Sequence, residues 1–456
     1  SFQQKRMLIF QELIKRFWNG RIKTNTDLDI LAQDLQKKLH MDNSDLPFIK
    51  DHIRIAMGLE PTGNANFQNE LSLVRNYKEI RQPIVAKLHE GCKNCSEEKR
   101  AECASGCKYE ARVYRRNEEP VIINDKCLNC GECVTSCDFG AIADKIEFVP
   151  LIELLQAKDV DVYATVAPAI AGQFGDDISL GQIRTGLKLI GFNDMIEVAL
   201  FADILSIKEA YEFNKLVKTE NDFFLTSCCC PVWINLVQRN YPEMFTKMSP
   251  SVSPMIASGR FLKKLYPGAK VVFISPCIAK KSEAIDPDLK GAIDYVLSFG
   301  ELKEIFQALE IDLRQLPPIE KDHASFAGRI YARTGGVSFS VKSVVNRIAP
   351  QRLIKFKALK VDGVKDCKRI LDNLSQGKTV EANFIEGMGC DGGCVGGPRT
   401  IIDKETATKY VNEFAEDSLI LTPLDNLNIM KILSELGLSK IEEIFTNEEI
   451  NQLLTR

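Results

Sequence analysis

The sequence predicts a multidomain protein of mixed α+β and α/β architecture, in which helical regions flank a cysteine-rich module and an α/β domain. Three observations support this fold class. Residues 1–88 carry apolar side chains at helical spacing and no cysteine, whereas residues 89–145 contain eight of the fifteen cysteines and few core-forming side chains. After Phe148, short apolar strands alternate with amphipathic helices, which is typical of a largely parallel sheet covered by helices.

These changes in composition divide the chain into four predicted regions. They are 1–88 (N-terminal helices), 89–145 (cysteine-rich module), 146–398 (α/β domain) and 399–456 (helical C-terminal extension). Apolar stripes in the first region predict helices over 4–18, 47–58 and 69–88, the last of them kinked at Pro83. The N-terminal region shows no recognisable chemistry, so we expect it to serve packing or docking.

The α/β domain is predicted from six apolar strands with helices between them. The strands are 160–168, 195–200, 223–227, 269–275, 292–298 and 381–386, and the helices include 178–190 and 301–309. Three strands are each followed by cysteines, namely Cys228, Cys229 and Cys230, then Cys277, then Cys390 and Cys394. Because ligands in open α/β sheets bind beyond the carboxyl ends of the strands, we expect these segments to converge on one buried site.

Composition excludes several classes of protein. With 59 basic and 62 acidic residues, the chain has a net charge of −3 and lacks the basic face of a nucleic-acid-binding protein. No apolar run approaches the roughly 18 residues that span a bilayer, so we expect no membrane association. The N-terminal stretch lacks the cleavage site of a signal peptide, and an odd number of cysteines is untypical of a disulfide scaffold. We therefore expect a cytoplasmic protein whose thiolates bind metal.

The cysteine-rich module has the ligand spacing of a bacterial two-cluster ferredoxin. Its second half is Cys127-x2-Cys130-x2-Cys133-x3-Cys137, and its first half is the same run with five extra residues, Cys92-x2-Cys95-x7-Cys103-x3-Cys107. In such runs the fourth cysteine ligates the other cluster. We therefore predict a bacterial-ferredoxin-like domain with one 4Fe-4S cluster on Cys92, Cys95, Cys103 and Cys137 and another on Cys107, Cys127, Cys130 and Cys133. Two zinc sites are the alternative, since C-x2-C pairs also suit tetrahedral zinc.

Three further motifs occur in order: TSCCCPVW at 226–233, SPCIAKKSE at 275–283 and EGMGCDGGCVGGP at 386–398. In these motifs the chain resembles the iron-iron (FeFe) hydrogenases, whose catalytic domain carries TSCCP-x-W, PC-x2-K-x2-E and E-x-M-x-C-x3-C segments. The resemblance covers roughly residues 89–398. The cysteine triplet and the altered flanks are more similar to the divergent group B branch. The resemblance implies that the α/β domain is an FeFe-hydrogenase catalytic domain.

The resemblance also implies a six-iron cofactor, the H-cluster. In the family, a 4Fe-4S cubane is bridged by one cysteine to a two-iron unit that bears carbon monoxide, cyanide and an azadithiolate. Carried over by motif, the cubane ligands are Cys230, Cys277, Cys390 and Cys394, with Cys394 as the bridge. The soft thiolates suit iron, and Gly392 and Gly393 would let the backbone fold closely around a cluster.

Five residues match family positions that contact the two-iron unit or orient a residue that does. Lys280 would donate to a cyanide ligand, Glu283 would orient Lys280, and Met388 would pack against the unit. Ala167 and Pro168 would offer backbone contacts to the second cyanide. Outside the motif, the Lys–Glu pair would be read as an ordinary surface pair. Ala169 stands where many relatives have serine, so one hydrogen bond to that cyanide is expected to be absent.

The resemblance also implies a proton path. Cys229 matches the proton-shuttling thiol, and Glu209, Ser249 and Glu212 match the carboxylates and hydroxyl behind it. Without the alignment, an ordinary solvated glutamate pair would be the preferred interpretation of Glu209 and Glu212.

One position near the path departs from the family pattern, and two cysteines have no assigned role. Leu216 replaces the basic residue expected one turn beyond Glu212. Cys228 and Cys367 receive no assignment.

The implied function is the reversible conversion of two protons and two electrons into dihydrogen. Electrons would be exchanged with ferredoxin or a similar small carrier through the two accessory clusters, and hydrogenase maturation proteins would insert the two-iron unit. A hydrogen-sensing relative and a hydrogenase-like iron–sulfur assembly factor are the alternatives. The shuttle cysteine Cys229 argues against the sensor, and the combination of Cys229, Lys280 and Met388 argues against the assembly factor.

Overall fold

A computed structural model of the chain describes residues 2–89, 91–93, 95–107, 109–113, 121–226 and 229–456. Up to residue 159 its elements are α1 (Phe2–Trp18), α2 (Asn25–Lys38), α3 (Leu46–Ala56), α4 (Glu70–Arg75), β1 (Val85–Lys87), α5 (Glu97–Ser105), β2 (Arg112–Val113), β3 (Val121–Ile122), α6 (Glu132–Thr135), β4 (Ile142–Asp144) and α7 (Phe148–Ala157).

The elements from residue 160 to residue 310 are β5 (Val162–Val166), α8 (Leu180–Ile190), β6 (Asp194–Glu197), α9 (Ala199–Leu216), β7 (Phe224–Leu225), α10 (Pro231–Asn240), α11 (Pro242–Phe245), α12 (Pro254–Leu265), β8 (Lys270–Ser275), α13 (Ala279–Ala284), β9 (Tyr295–Ser298) and α14 (Phe299–Ala308). Those that follow are α15 (Phe326–Arg329), α16 (Gly336–Ile348), β10 (Ala358–Asp362), α17 (Val364–Ser375), β11 (Phe384–Met388), α18 (Lys404–Glu416), α19 (Leu427–Glu435), α20 (Glu443–Thr446) and α21 (Glu448–Leu453).

The chain folds into two compact units. The first comprises the residues up to Asp159 together with Cys277–Ile285 and Tyr295–Asp312, and the second comprises the rest. These units differ from the four predicted regions, because tertiary packing joins segments that composition separates. Helix α7 packs against α1 and so belongs with the N-terminal helices, although the predicted boundary stood before it.

In the first unit, an antiparallel pair of strands brackets the cysteine-rich segment. Strand β1 pairs with β4 in the register Val85 to Asp144, so the chain enters and leaves the module side by side. The predicted helix over 69–88 is wrong beyond Arg75, where the chain becomes irregular and then forms β1. Two residues of its predicted apolar stripe, Ile80 and Ile84, are nevertheless buried, because they pack in a core with Ile142 of β4.

A cluster of buried charges also lies in the first unit. Lys281 of α13 donates to Asp144 Oδ2 at 3.0 Å, to Glu301 Oε1 at 2.7 Å and to the Lys145 carbonyl at 2.5 Å. Arg6 of α1 donates to Asp144 Oδ1 at 3.1 Å. Each charged side chain in this cluster is at most 5% exposed, so every charge depends on its partners for compensation.

The second unit contains two sets of parallel strands. Strand β5 pairs in parallel with β6 on one side and with β8 on the other. Strand β11 pairs in parallel with β10 and with β7. The prediction of parallel strands alternating with helices is therefore confirmed, and the fold class with it. Strand β10 was not predicted, because most of its residues are at least partly exposed and its sequence ALKVD lacks an apolar run.

The three strands predicted to precede cysteines all form. Strand β7 leads into the triplet segment, β8 leads to Cys277 and β11 leads to Cys390 and Cys394. The predicted strand over 195–200 is shorter, since β6 ends at Glu197 and α9 begins at Ala199. Over the described ranges, no helix combines the length and the apolar composition needed to cross a bilayer.

Substitution of Lys281 by methionine should destabilise the protein strongly. The carboxylates of Asp144 and Glu301 would lose a buried cation, and breaking a buried ion pair on one side costs about 3–5 kcal/mol. Urea denaturation of the anaerobic apo-protein, followed by circular dichroism, measures the change in unfolding free energy. As a control, Arg314→Ala removes an exposed ion pair with Asp177 and should cost less than about 1 kcal/mol. Equal effects of the two substitutions would contradict this interpretation.

Candidate metal centres

The first unit gathers the cysteines of the module around two neighbouring cavities. One cavity, of about 420 Å³, is lined by Cys92, Cys95, Cys103, Cys133 and Cys137. A narrower cavity of about 30 Å³ is lined by Cys107, Cys127, Cys130 and Cys133. Each predicted set of four cysteines is thus complete around one cavity, including the fourth cysteine that each half contributes to the other. Cys133 lines both cavities.

The donor set around these cavities fits iron–sulfur clusters. Soft thiolates are the ligands that such clusters require. Without metal, burial raises the pKa of Cys130 to about 11 and also raises the pKa of Cys133. Both thiols are therefore protonated at neutral pH in the apo-protein. A bound cluster would displace these protons, because only the deprotonated thiolate binds metal.

In the second unit, the pairing of β7 with β11 brings two cysteine segments to one edge. The backbone N–H of Gly389, just beyond β11, donates to Cys230 Sγ at 3.1 Å. A Cβ at Gly389 would lie 2.6 Å from the Val232 side chain, so only glycine permits this approach. An amide that donates to a ligand sulfur is a feature of iron–sulfur sites. The segments that carry Cys230 and Cys390 therefore follow two paired strands and lie next to each other.

The turn that carries Cys390 and Cys394 requires glycine. Gly393 has φ +90°, and a Cβ there would lie 2.8 Å from the Thr334 backbone nitrogen. The Thr334 N–H donates to the Gly392 carbonyl at 3.0 Å. The carboxylate of Asp362, at the end of β10, accepts from the Gly392 N–H at 3.1 Å and from Thr334 Oγ1 at 2.7 Å. The two glycines therefore let this turn pack closely against the backbone at Thr334.

Glu386, the first residue of the third motif, holds another segment in place. It is fully buried on β11 and accepts from the Gly335 and Ser338 N–H groups, each at 2.7 Å, and from Ser338 Oγ at 2.5 Å. Burial raises the pKa of this carboxyl, while the hydrogen bonds from Ser338 and Gly335 oppose that rise. The TGGV segment at 334–337 is thereby tied to β11. Sequence reasoning did not assign this role to Glu386.

Met388 and Cys229 lie next to each other in the second unit. Cys229 Sγ is 3.6 Å from Met388 Sδ, and Met388 is buried at the end of β11. Ala167 and Pro168 follow β5 in a buried 3-10 turn, and the Ala167 N–H donates to the Ile274 carbonyl of β8 at 2.9 Å. Cys228, which precedes Cys229, lies outside the described residues.

Cys277, Lys280 and Glu283 belong to the first unit, on the segment that forms α13. Lys280 Nζ donates to Glu283 Oε2 at 2.6 Å. Their side chains are 7% and 1% exposed, so the pair is buried and is not an ordinary surface pair.

The candidate proton path is built around helix α9 and strand β7. Glu209 is fully buried and accepts from Thr226 Oγ1 at 2.7 Å, while Ser249 Oγ donates to Glu212 Oε2 at 2.6 Å. The carbonyl of Thr226 accepts a hydrogen bond from Trp233 Nε1 at 2.9 Å. This bond joins the first and last residues of the TSCCCPVW motif. Thr226 was not predicted as part of the site. Its position as the first residue of the motif was the sequence feature that could have indicated a role.

Lys208 is a second residue that sequence reasoning missed. Its buried Nζ donates to Glu212 Oε1 at 2.5 Å and to Ser251 Oγ at 2.9 Å. Leu216, where a basic residue was expected, is half exposed at the end of α9. Lys208 therefore supplies a cation to Glu212 from the preceding turn of the same helix. The available signal was the i, i+4 spacing of Lys208 and Glu212.

Comparison with known proteins identifies the family. Residues 160–398 match the family described as iron only hydrogenase large subunit, C-terminal domain, and residues 120–143 match the 4Fe-4S binding domain. The chain belongs to the iron-only hydrogenase family. The family match begins where the second unit begins and ends at Pro398, just beyond the third motif.

Individual relatives include both hydrogenases and assembly factors. The chain is 28% identical over 59% of its length to the NADP-reducing hydrogenase subunit HndD of Solidesulfovibrio fructosivorans, of which it spans 55%. It is 22% identical over 64% of its length to a probable cytosolic Fe-S cluster assembly factor of Drosophila virilis, of which it spans 74%.

Among solved structures, an FeFe-hydrogenase variant from Chlamydomonas reinhardtii shares the fold. Its TM-score is 0.54 at 21% identity, covering 67% of this chain and 96% of that one.

These matches favour iron–sulfur clusters over zinc in the cysteine-rich module. The 4Fe-4S match includes the run from Cys127 to Cys137, and the family match places the chain among the iron-only hydrogenases. Cys367 remains outside every motif. It is buried, its Sγ–H donates to the Met388 carbonyl at 3.2 Å, and burial raises its pKa. It is a protonated thiol packed beneath β11.

Substitution of Glu386 by alanine should loosen the segment that it holds. The N–H groups of Gly335 and Ser338 would lose their buried acceptor, and each unsatisfied group costs about 1–3 kcal/mol. Hydrogen exchange measured by mass spectrometry should therefore be faster in residues 333–339. The control Glu405→Ala removes only an exposed carboxylate near Lys404 and should leave that exchange unchanged. Unchanged protection in the Glu386 variant would refute this role.

Proposed function

We propose that this chain is a hydrogenase that interconverts two protons and two electrons with dihydrogen at an H-cluster. The observation that carries the proposal is the contact between Cys229 Sγ and Met388 Sδ at 3.6 Å, beside the ligand candidate Cys230. A thiol adjacent to a ligand thiol, and in contact with a buried methionine, suits proton delivery to a two-iron unit. A protein that carries only cubanes would need neither of these side chains.

In the proposal, the cubane of the H-cluster is held by Cys230, Cys277, Cys390 and Cys394. The Gly389 amide that donates to Cys230 Sγ supports the assignment of that thiolate as a ligand. Cys277 and the bridging role of Cys394 are assigned by motif. The accessory clusters are held by the two crossed sets of cysteines around the cavities of the first unit. When bound, the H-cluster supplies the redox chemistry that makes and breaks the H–H bond.

The protein's own residues bind and orient the two-iron unit. Lys280 would donate to one cyanide, and the buried carboxylate of Glu283 holds the ammonium group of Lys280 in one orientation at 2.6 Å. Ala167 and Pro168 would contact the second cyanide through their backbone. Because Ala169 has no hydroxyl, that cyanide would lack the hydrogen bond that a serine supplies in many relatives. Met388 would exclude water from one side of the unit.

Protons move along Glu212, Ser249, Glu209 and Cys229. The hydrogen bond from Ser249 to Glu212 and the burial of Glu209 support this order. A positioned thiol can accept and return a proton, so Cys229 would relay protons between the carboxylates and the two-iron unit. Lys208 would hold Glu212 in place at the outer end of the path, where Leu216 offers no charge.

Electrons would be exchanged with a ferredoxin or a similar small carrier through the accessory clusters. Hydrogenase maturation proteins would deliver the two-iron unit. The proposal sets this chemistry in the cytoplasm, where thiols remain reduced. No nucleic acid or membrane partner is required.

The second candidate is an iron–sulfur assembly factor, which the Drosophila virilis relative favours. The two functions differ in whether a two-iron unit is present. Infrared spectra of anaerobically matured protein should contain bands of metal-bound carbon monoxide and cyanide if the chain is a hydrogenase. A hydrogen-evolution assay with a reduced dye should then detect turnover. Properly matured protein without these bands would favour the assembly factor, and bands without turnover would favour a hydrogen sensor.

Substitution of Cys229 by alanine should lower turnover at least about a hundredfold, the size of effect expected for the loss of a positioned proton donor. The infrared bands should persist, because Cys229 is not a ligand. The matched control is Cys367→Ala, which removes a buried thiol outside the path and should retain most activity. Near-normal turnover of the Cys229 variant would refute the shuttle.

Substitution of Lys208 by methionine should lower turnover about tenfold, because a charge-assisted hydrogen bond to Glu212 contributes about 1.5–3 kcal/mol. The infrared spectrum should be unchanged. Lys208→Arg should restore most of the turnover, and Lys215→Met, an exposed lysine on the same helix, should have no effect. Equal losses for the Lys208 and Lys215 variants would contradict the proposal.

A further inference from the structure

Arg112 lies between the two sets of cluster cysteines. Its Nη1 donates to Cys103 Sγ at 3.0 Å, and Cys103 belongs to the first set. It also lines the smaller cavity together with Cys107, which belongs to the second set. One arginine thus donates to a thiol of the first set and lines the cavity of the second.

The surroundings of Arg112 hold the guanidinium in this position. Arg112 lines both cavities of the first unit. Its Nη2 lies 3.3 Å from the position that a Cβ would take at Gly106, so the absence of a side chain there leaves room for the guanidinium. The Nε–H group is enclosed and has no acceptor among the residues that the structure describes. It is therefore available to donate to a sulfur of a bound cluster.

We propose that Arg112 raises the reduction potentials of both accessory clusters together. The inference rests on the iron–sulfur part of the proposed function and does not depend on hydrogen chemistry. Each cluster takes up one electron on reduction, with no bond made or broken, and becomes more negative by one charge. A cation and N–H donors beside the thiolates stabilise that reduced state more than the oxidised state. Because Arg112 lines the cavities of both sets of ligands, its effect is shared by both clusters.

Glu132 provides a matched charge of opposite sign. It lies between Cys130 and Cys133 in sequence, and it also lines both cavities. Its carboxylate disfavours reduction of both clusters, whereas the Arg112 guanidinium favours it. Arg100 differs from both, because it lines only the larger cavity and donates to the Cys92 carbonyl at 2.6 Å. Arg100 should therefore act on the first cluster alone.

The test uses the full chain, reconstituted anaerobically with iron and sulfide, with iron counted per chain. A potentiometric titration with dithionite, followed by electron paramagnetic resonance, measures the midpoint potentials of the accessory clusters. Arg112→Gln should shift both midpoints to more negative values, lowering the ratio of reduced to oxidised cluster about tenfold at a fixed potential. For a one-electron couple this is about 59 mV. Arg112→Lys, which keeps the charge, should shift them less.

The matched substitutions make the expected pattern specific. Glu132→Gln should shift both midpoints to less negative values, and Arg100→Gln should shift only one. If the Arg112→Gln protein does not bind clusters, the midpoint potentials of the Arg112→Lys and Glu132→Gln variants test the inference instead. Two outcomes would overturn this inference and leave the cluster assignment intact. In the first, both cluster signals are normal and neither midpoint potential shifts in any of these variants. In the second, Arg112→Gln shifts the midpoint potential of only one cluster. Absence of the two cubane signals from the unsubstituted protein would overturn the cluster assignment and the inference together.

Discussion

The parallel pairing of the two-residue strand β7 is the constraint on which the site of the second unit depends. On one side β7 pairs with β11, and on the other Leu225 pairs in parallel with Met248. The same edge therefore receives the segment that leads to Cys230, the turn after Met388, and Ser249. A shift of the register by one residue would turn alternate side chains to the opposite face and separate these groups.

Aromatic packing secures this register and ties helix α9 to it. The rings of Phe224 on β7 and Phe384 on β11 stack with centroids 5.7 Å apart. Phe213 of α9 meets both rings edge-on, at 6.3 Å and 6.1 Å. Helix α9 also carries Glu209 and Glu212, so the apolar contacts that stabilise the strand pair also position these two carboxylates, which the proposed function assigns to a proton path.

Much of the fold and of the candidate site could be predicted because its signals are local in sequence. Spacing alone separated the eight cysteines of the module into two crossed sets, and each set lines one cavity, with Cys133 lining both. Apolar runs located the strands before the cysteine segments. The helix predicted through Ile80 and Ile84 failed because an apolar stripe indicates burial, and here burial comes from a core shared with β4. Arg112 was not predicted because an isolated basic residue has no sequence signature until its partners are known, whereas the i, i+4 spacing of Lys208 and Glu212 was an available signal that went unused.

The sequence by itself determined the family of this protein, the strands that precede its cysteine segments and the spacing of its cysteines. These are properties of residue type and spacing, and they need no knowledge of distant contacts. Only the tertiary structure decided which charges compensate one another. Lys281 meets Asp144 across 137 positions of the chain, and Glu386 meets Gly335 across 51. Such contacts depend on how strands and helices pack, because a buried charge is stable only where folding brings a partner to it.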